Sequence, residues 1–304
     1  MKVAAAVTVM LGLSSVWGIS RKEKLANVQR LVMSSQYGGE LPSWDGRDIK
    51  SPANLIKFGF ENMKTSFDLA EDQLPEGRQK LIHPLGSTAP VSFEVTDTSL
   101  GLTGVFAEGA DSCITRISVA ANPGDKEFVP GMAIKCFIDG NAPSVNFITM
   151  FSLDGQKNNF NVFANSYSNI IDQPNSPALK FLVATVFSRA SKCPNWISVA
   201  QFSRTSQDGK SVATPSFPSK ILLKPTSAAQ AYGQSAQPGD DLRKQLAQIP
   251  SGTQLWDVID SKSGKKFAEI STTGSFVASQ YSDERLFFQH ERGEVDGCSA
   301  APSS

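Results

Sequence analysis

Hydrophobic and polar residues alternate along the middle of the chain in a pattern that predicts β-strands. In VSFEV, residues 91–95, the apolar Val91, Phe93 and Val95 alternate with polar neighbours, which is typical of a strand with one buried face. The stretches CITRISVA, MAIKCFID and VNFITMF predict three more strands, separated by the turn sequences NPGD and DGNAPS. Strands at this spacing, joined by short turns, favour an antiparallel barrel or sandwich.

Elsewhere the hydrophobic period indicates helices. Ile56, Phe60 and Met63 lie at helical spacing within residues 54–69, and Ser176-Pro177 has the composition of a helix start. PGDDLRKQLAQI predicts a short capped helix, whereas KILLKP, KFAEIS and SFVAS predict further strands. Residues 19–51 are polar and glycine-containing, and they are interpreted as an arm that adds no core element. We therefore expect one α+β domain with an antiparallel barrel and flanking helices, divided into 1–18 (leader), 19–70 (arm and helix), 71–292 (barrel) and 293–304 (flexible tail).

The first residues have the composition of a secretory signal peptide. Lys2 precedes an apolar run from Val3 to Leu13, and the small Gly18 suits a cleavage site. We therefore expect cleavage after Gly18 and a secreted protein, or one of the secretory pathway. No other stretch is long and apolar enough to predict a membrane span.

Four cysteines are compatible with that oxidising compartment, and they allow three fully paired connectivities. Cys113 and Cys136 lie in adjacent predicted strands, so this pair is favoured, although the sequence leaves the other pairings open. The numbers of basic and acidic residues are equal, at 29 each, and this balance argues against a nucleic-acid-binding protein.

The chain contains only two histidines, and one of them has an unusual setting. His83 follows the apolar pair Leu81-Ile82 and precedes Pro84. A buried imidazole needs a hydrogen-bond partner, and it can also serve as a proton carrier near neutral pH. Both interpretations of His83 stay open at this point.

Four stretches, taken in order, resemble the heme catalase superfamily over residues 74–165, with a looser likeness over 217–292. KLIHPLGSTAPVSFEV resembles the start of the first barrel strand, and TGVFAEGADSCITRIS resembles the next strand with its Arg-x-Ser triplet. NPGDKEFVPGMAIKCF resembles a turn and strand that read Gly-x-Ala-x-Lys, here Gly131, Ala133 and Lys135. NAPSVNFITMF resembles the strand that carries a distal asparagine.

The resemblance implies a heme site and assigns roles to individual residues. His83 would be the base that moves a peroxide proton, Ser118 would orient it through its hydroxyl, and Asn146, or Asn141, would hold the peroxide. Arg116 would bind a heme propionate, because a guanidinium pairs with a carboxylate through two hydrogen bonds. The resemblance also implies a monomer or a homodimer, since the arms and tails through which larger catalases assemble are short here.

The sequence departs from the family pattern in two places. Lys80 stands where the family usually has an arginine, which would weaken a propionate contact. The late helix with its tyrosine ligand is not recognisable; of the four tyrosines, only Tyr281 in QYSDERLFFQHER imitates the motif, and residues 275–288 are better interpreted as strand and turn.

Two functions are therefore expected from the sequence. One is a heme-dependent enzyme that processes hydrogen peroxide or an organic hydroperoxide, with His83, Ser118 and Asn146 as catalytic residues. The other is a heme-free, inactive barrel that acts as a binding or structural protein for an apolar small molecule. Heme is the cofactor in the first case, with Arg116, Lys80 and Tyr281 as its contacts.

Overall fold

The architecture was obtained as a computed structural model, which describes residues 19–43, 83–119, 130–139, 145–151, 161–169, 218, 221–286 and 288. Eight strands close into one barrel in which each strand pairs antiparallel with the next and the last pairs with the first. The strands are β1 (Leu85–Val95), β2 (Ala110–Val119), β3 (Pro130–Cys136), β4 (Val145–Phe151), β5 (Tyr167–Asn169), β6 (Ile221–Pro225), β7 (Gln254–Asp260) and β8 (Lys266–Thr272). The predicted α+β fold with an antiparallel barrel is confirmed. Its catalase-like character stays a prediction.

Side chains of β2 and β3 alternate between the inside and the outside of the barrel. Cys113, Ile117 and Val119 lie in the interior core, so Ile114, Arg116 and Ser118, at the alternate positions, belong to the outer face. Cys113 is directly opposite Cys136 of β3, and the two form a disulfide with a Cα–Cα distance of 4.0 Å. The predicted pairing is confirmed, because the register places these two residues side by side.

The barrel interior is filled by aromatic and aliphatic side chains. Trp256, Tyr167, Phe93, Phe106 and Phe163 are each at most 1% exposed. Phe93 and Phe106 meet edge to face with their ring centroids 5.7 Å apart, and Tyr167 and Trp256 do so at 6.0 Å. An eight-stranded barrel has an interior about wide enough for its own side chains. The described interior is therefore a packed core.

The N-terminal arm contributes a core element, contrary to the sequence-based interpretation. Helix α1 (Arg21–Ser34) begins at the N-cap Ser20, whose hydroxyl accepts a hydrogen bond from the backbone of Glu23. One side of α1 packs on the outer face of β2. It joins an apolar group, here called the outer cluster, formed by Leu25, Val28, Val32, Ile114, Phe137, Tyr281, Leu286 and Phe288. The arm appeared polar because most of its other side chains face solvent.

The chain after β8 runs along the first half of β1. Val277 and Thr88 exchange two backbone hydrogen bonds there, of 2.8 and 3.0 Å. The sequence favoured a strand and turn over 275–288. The structure has isolated bridges at Val277 and Ser279 and then a π-helix at Tyr281–Arg285, so that prediction is wrong in detail. Gln36, just after α1, bridges Ser279, which ties the arm to this segment.

Three shorter helices complete the described part: α2 (Val105–Glu108), α3 (Ser227–Gly233) and α4 (Leu242–Leu246). The last of these confirms the helix expected in PGDDLRKQLAQI, with Asp241 as its N-cap. Among the described residues, none of the helices has the length and apolar character that crossing a membrane requires. The predicted leader 1–18, the helices at 54–69 and after Ser176, and the tail 293–304 lie outside the described residues.

Candidate functional site

His83 occupies a constrained turn immediately before β1. Its φ is 57°, and among the described residues it is the one non-glycine with a positive φ. Histidine is one of the side chains that adopt this left-handed conformation more readily than most. The Arg116 guanidinium fixes the turn from β2, with Nη1 2.9 Å from the His83 carbonyl oxygen and Nη2 3.1 Å from that of Pro84. Residues that their surroundings hold in a strained backbone conformation cluster at functional sites.

The hydrogen bonding of the imidazole defines its tautomer. Nδ1 lies 3.1 Å from the backbone carbonyl oxygen of Ser118. A carbonyl can only accept a hydrogen bond, so Nδ1 carries the hydrogen and Nε2 carries the lone pair; this assignment follows from the bonding pattern. His83 is therefore arranged as a base at Nε2.

Burial controls the charge of that ring. Although the residue keeps some exposure, the pKa of His83 is lowered from 6.5 to about 4. Desolvation is the main cause; the hydrogen bond to the Ser118 carbonyl opposes it, and the positive charge of Arg116 adds to it. The imidazole is consequently neutral at pH 7. It can accept a proton there without first losing one.

Gly131 makes room for the imidazole. It is opposite Ser118 in the β2–β3 register, and a Cβ built on it would lie 2.9 Å from Cε1 of His83. Any larger side chain would displace the ring. A glycine is therefore needed at this position of the Gly-x-Ala-x-Lys stretch, because the His83 ring lies so close to the strand.

A buried carboxylate closes the site on its other side. Asp283 of the π-helix accepts hydrogen bonds at Oδ1 from Arg116 Nη2 (2.9 Å) and from the backbone N–H of Gly86 (2.8 Å). The Tyr37 hydroxyl lies 3.3 Å from Oδ2. We call this arrangement of Asp283, Arg116, Gly86 and Tyr37 the Asp283 clasp. It joins the arm, the first two strands and the π-helix through one carboxylate.

Burial and mutual contacts determine the electrostatics of the clasp. Arg116 and Asp283 are each 3% exposed, so the ion pair is almost fully removed from water. Desolvation lowers the pKa of Arg116, while the charge of Asp283 raises it. Burial and the negative charge of Asp283 raise the pKa of Tyr37 above its usual range, so the phenol stays protonated and donates to Asp283. A buried ion pair of this kind depends on both partners being present.

The structure brings some of the predicted site residues together. His83, Ser118 and Arg116 are mutual neighbours, but their contacts differ from those that the resemblance implies. Ser118 contacts the ring through its backbone carbonyl and not through its hydroxyl. Arg116 uses its guanidinium on two carbonyls and on Asp283 of its own chain.

Asn146 is not brought to His83. It pairs with Lys135 in the β3–β4 register, whereas Met150 is the residue opposite Gly131. Met150 lies four positions after Asn146, which corresponds to about 13 Å of strand. The alternative Asn141 and the predicted contact Lys80 lie outside the described residues.

Tyr281 belongs to the outer cluster. It is 4% exposed, and its backbone N–H donates a 3.0 Å hydrogen bond to the hydroxyl of Ser35 at the end of α1. An axial tyrosinate has to face open space that a heme can occupy. Here the apolar side chains of α1 and β2 pack in the same cluster as the tyrosine.

Sequence reasoning missed the two residues that complete the clasp. Asp283 is 167 residues from Arg116 and Tyr37 is 246 residues from Asp283, so no local pattern connects them. The one local signal is the Tyr-x-Asp sequence at Tyr281, and it indicates the tyrosine as a ligand and not the aspartate as a partner of Arg116.

The described residues do not fit a heme. The cation expected to hold a propionate is paired with Asp283, the candidate axial tyrosine is packed in the outer cluster, and the candidate asparagine is remote from His83. The barrel interior is filled by its own aromatic side chains. We therefore assign no heme-dependent step to these residues.

Comparison with known proteins gives no family for this arrangement: no protein-family model matches the chain, and no curated protein is significantly similar to it.

Proposed function

We propose that this chain is a heme-free, catalase-like barrel protein of the secretory pathway with a binding or structural role. The observation that carries the proposal is the buried pairing of Arg116 with Asp283 at 2.9 Å. A propionate would have to displace this internal carboxylate from a guanidinium that is 3% exposed. The disulfide between Cys113 and Cys136 supports an oxidising compartment, since such bonds form and persist there.

The experiment that tests the heme-free role is a hemin titration of the purified protein, followed by absorption. We expect a broad response at about 400 nm that does not saturate, because Tyr281, the candidate axial ligand, is packed in the outer cluster. A sharp band that saturates at one hemin per chain would overturn the proposal, and its loss in Tyr281→Phe would identify the ligand. Ser35→Ala, which alters a neighbour of Tyr281 without removing the phenol, is the matched control.

A heme-dependent, hydroperoxide-processing enzyme is the second candidate function, and one observation favours it. The hydrogen bond of Nδ1 leaves a neutral Nε2 base on His83 in a strained turn, and such a group could move a peroxide proton. Consumption of hydrogen peroxide and of an organic hydroperoxide by the purified chain, measured with and without added hemin, tests this directly. If His83 is the base, His83→Asn abolishes the consumption; an equal rate in both proteins would reject this candidate.

A further inference from the structure

The guanidinium of Arg116 can bind anions, and one of its N–H donors has no hydrogen-bond partner among the described residues. Asp283 contacts it with a single oxygen, at Nη2. Nε, the next donor on the same edge of the guanidinium, is buried and has no acceptor among the described residues. Carboxylates usually bind such an edge through two parallel hydrogen bonds. The Arg116 edge therefore has an unfilled donor in a place where water does not reach it.

Two further donors converge on the same point from different parts of the fold. The backbone N–H of Gly86 comes from the start of β1, and the Tyr37 hydroxyl comes from the arm after α1. A carboxylate bound here receives hydrogen bonds on both oxygens, which is how proteins recognise this group when it is buried. The chain has thus assembled a carboxylate site from three separated segments.

The group that fills the site is carried by an unusual element. Asp283 lies in a five-residue π-helix, closed by a 2.7 Å hydrogen bond from Leu286 N–H to the Tyr281 carbonyl. Such helices are rare and occur frequently at functional sites. The π-helix directs Asp283 at Arg116, while one bridge, between Val277 and Thr88, attaches the preceding segment to β1.

We propose that Arg116, Gly86 and Tyr37 form a binding site for the carboxylate of a small organic acid, which Asp283 holds closed as an internal ligand. An external carboxylate would replace Asp283 and contact Nε and Nη2 of Arg116 together. The chain in this structure is then the autoinhibited form. The inference deepens the binding role proposed above and rests on it, because it names the class of ligand.

Removal of the internal ligand tests the site. Asp283→Ala leaves the donors in place and empties the space of the carboxylate, and acetate at pH 7 is the probe. We expect acetate to raise the melting temperature of Asp283→Ala saturably, beyond the effect of chloride at equal ionic strength. Wild type and Asp283→Asn should respond to the two salts alike, since a side chain of the same size fills the space in both.

The affinity for acetate gives a second measurement. Isothermal titration should show Asp283→Ala binding acetate at least tenfold more tightly than wild type. Equal behaviour of the Ala and Asn variants towards acetate would overturn the proposal. If Asp283→Ala is not recovered folded, its refolding yield in acetate and in chloride is compared, and an equal yield overturns the proposal as well.

The two proposals fail in different experiments. Saturable hemin binding by wild type would reject the heme-free role while leaving the acetate response of Asp283→Ala intact. If Asp283→Ala shows no response to acetate and wild type does not bind hemin, only the carboxylate site is rejected.

Discussion

Acidification should destabilise this protein through His83, and the size of the effect follows from the site. Above pH 6.5 the imidazole is neutral in both the folded and the unfolded chain. Between pH 6.5 and about 4 the unfolded chain binds a proton that the folded chain does not, because burial lowers the pKa of His83. Stability therefore falls as the pH falls through this window, and His83 causes no further loss below it.

The expected magnitude is about 3 kcal/mol. It corresponds to the difference between the ordinary pKa and the value of about 4, at about 1.4 kcal/mol for each pH unit. This figure is an upper bound, since His83 keeps some exposure and water screens part of the charge. The adjacent Arg116 adds repulsion to the imidazolium, so the direction of the effect follows from two independent causes.

Urea denaturation of wild type and His83→Asn at pH 7, 5.5 and 4 measures the effect. Asparagine tolerates a positive φ and carries an amide donor but does not titrate, and the second histidine and all carboxylates are common to both proteins. The advantage of wild type over the variant should shrink by up to about 3 kcal/mol between pH 7 and pH 4. Parallel stability curves would contradict this expectation, since the ring would then be as solvated in the folded chain as in the unfolded one.

Three other perturbations test the neighbouring contacts. Asp283→Asn should cost about 3–5 kcal/mol in urea denaturation, because it leaves the Arg116 charge buried without its partner; a loss under 1 kcal/mol would mean that water reaches the pair. Gly131→Ala should cost about 1–3 kcal/mol, since its Cβ meets the His83 ring. The control Gly38→Ala, at a glycine with open space around it, should change stability little, and equal losses in the two variants would contradict the packing described for Gly131. Replacing both cysteines of the barrel disulfide by alanine should cost about 3 kcal/mol in thermal denaturation, from the loop of 23 residues that it closes; an unchanged melting temperature would show that the barrel register alone constrains that loop.

Sequence reasoning succeeded where one segment contains the whole physical signal. The alternation in VSFEV and CITRISVA identifies strands because each side chain position reports which face is buried. It led from adjacent strands to the Cys113–Cys136 disulfide, since neighbouring strands place opposite residues within bonding distance. The three-residue β5 is too short to show an alternating pattern, and the seven-residue β7 was also not predicted.

The same reasoning failed where a local pattern is ambiguous. Helix α1 buries only Leu25, Val28 and Val32, so its sequence resembles a polar arm until the barrel face that it covers is known. Tyr281 has the motif of a ligand, whereas its position in the outer cluster is a property of the tertiary packing alone.

Local patterning was enough to predict antiparallel strands and to place His83 at the start of the first one. The protonation of that histidine, and the partner of Arg116, were decided only by the tertiary structure. Burial sets the pKa of His83, and burial is a property of the assembled β2–β3 face and its covering segments. Asp283 reaches Arg116 across 167 residues because barrel closure brings the chain after β8 back alongside β1. An ion pair between residues this far apart in sequence cannot be predicted from local hydrophobic patterning, because that pattern indicates only which side chains of a segment are buried.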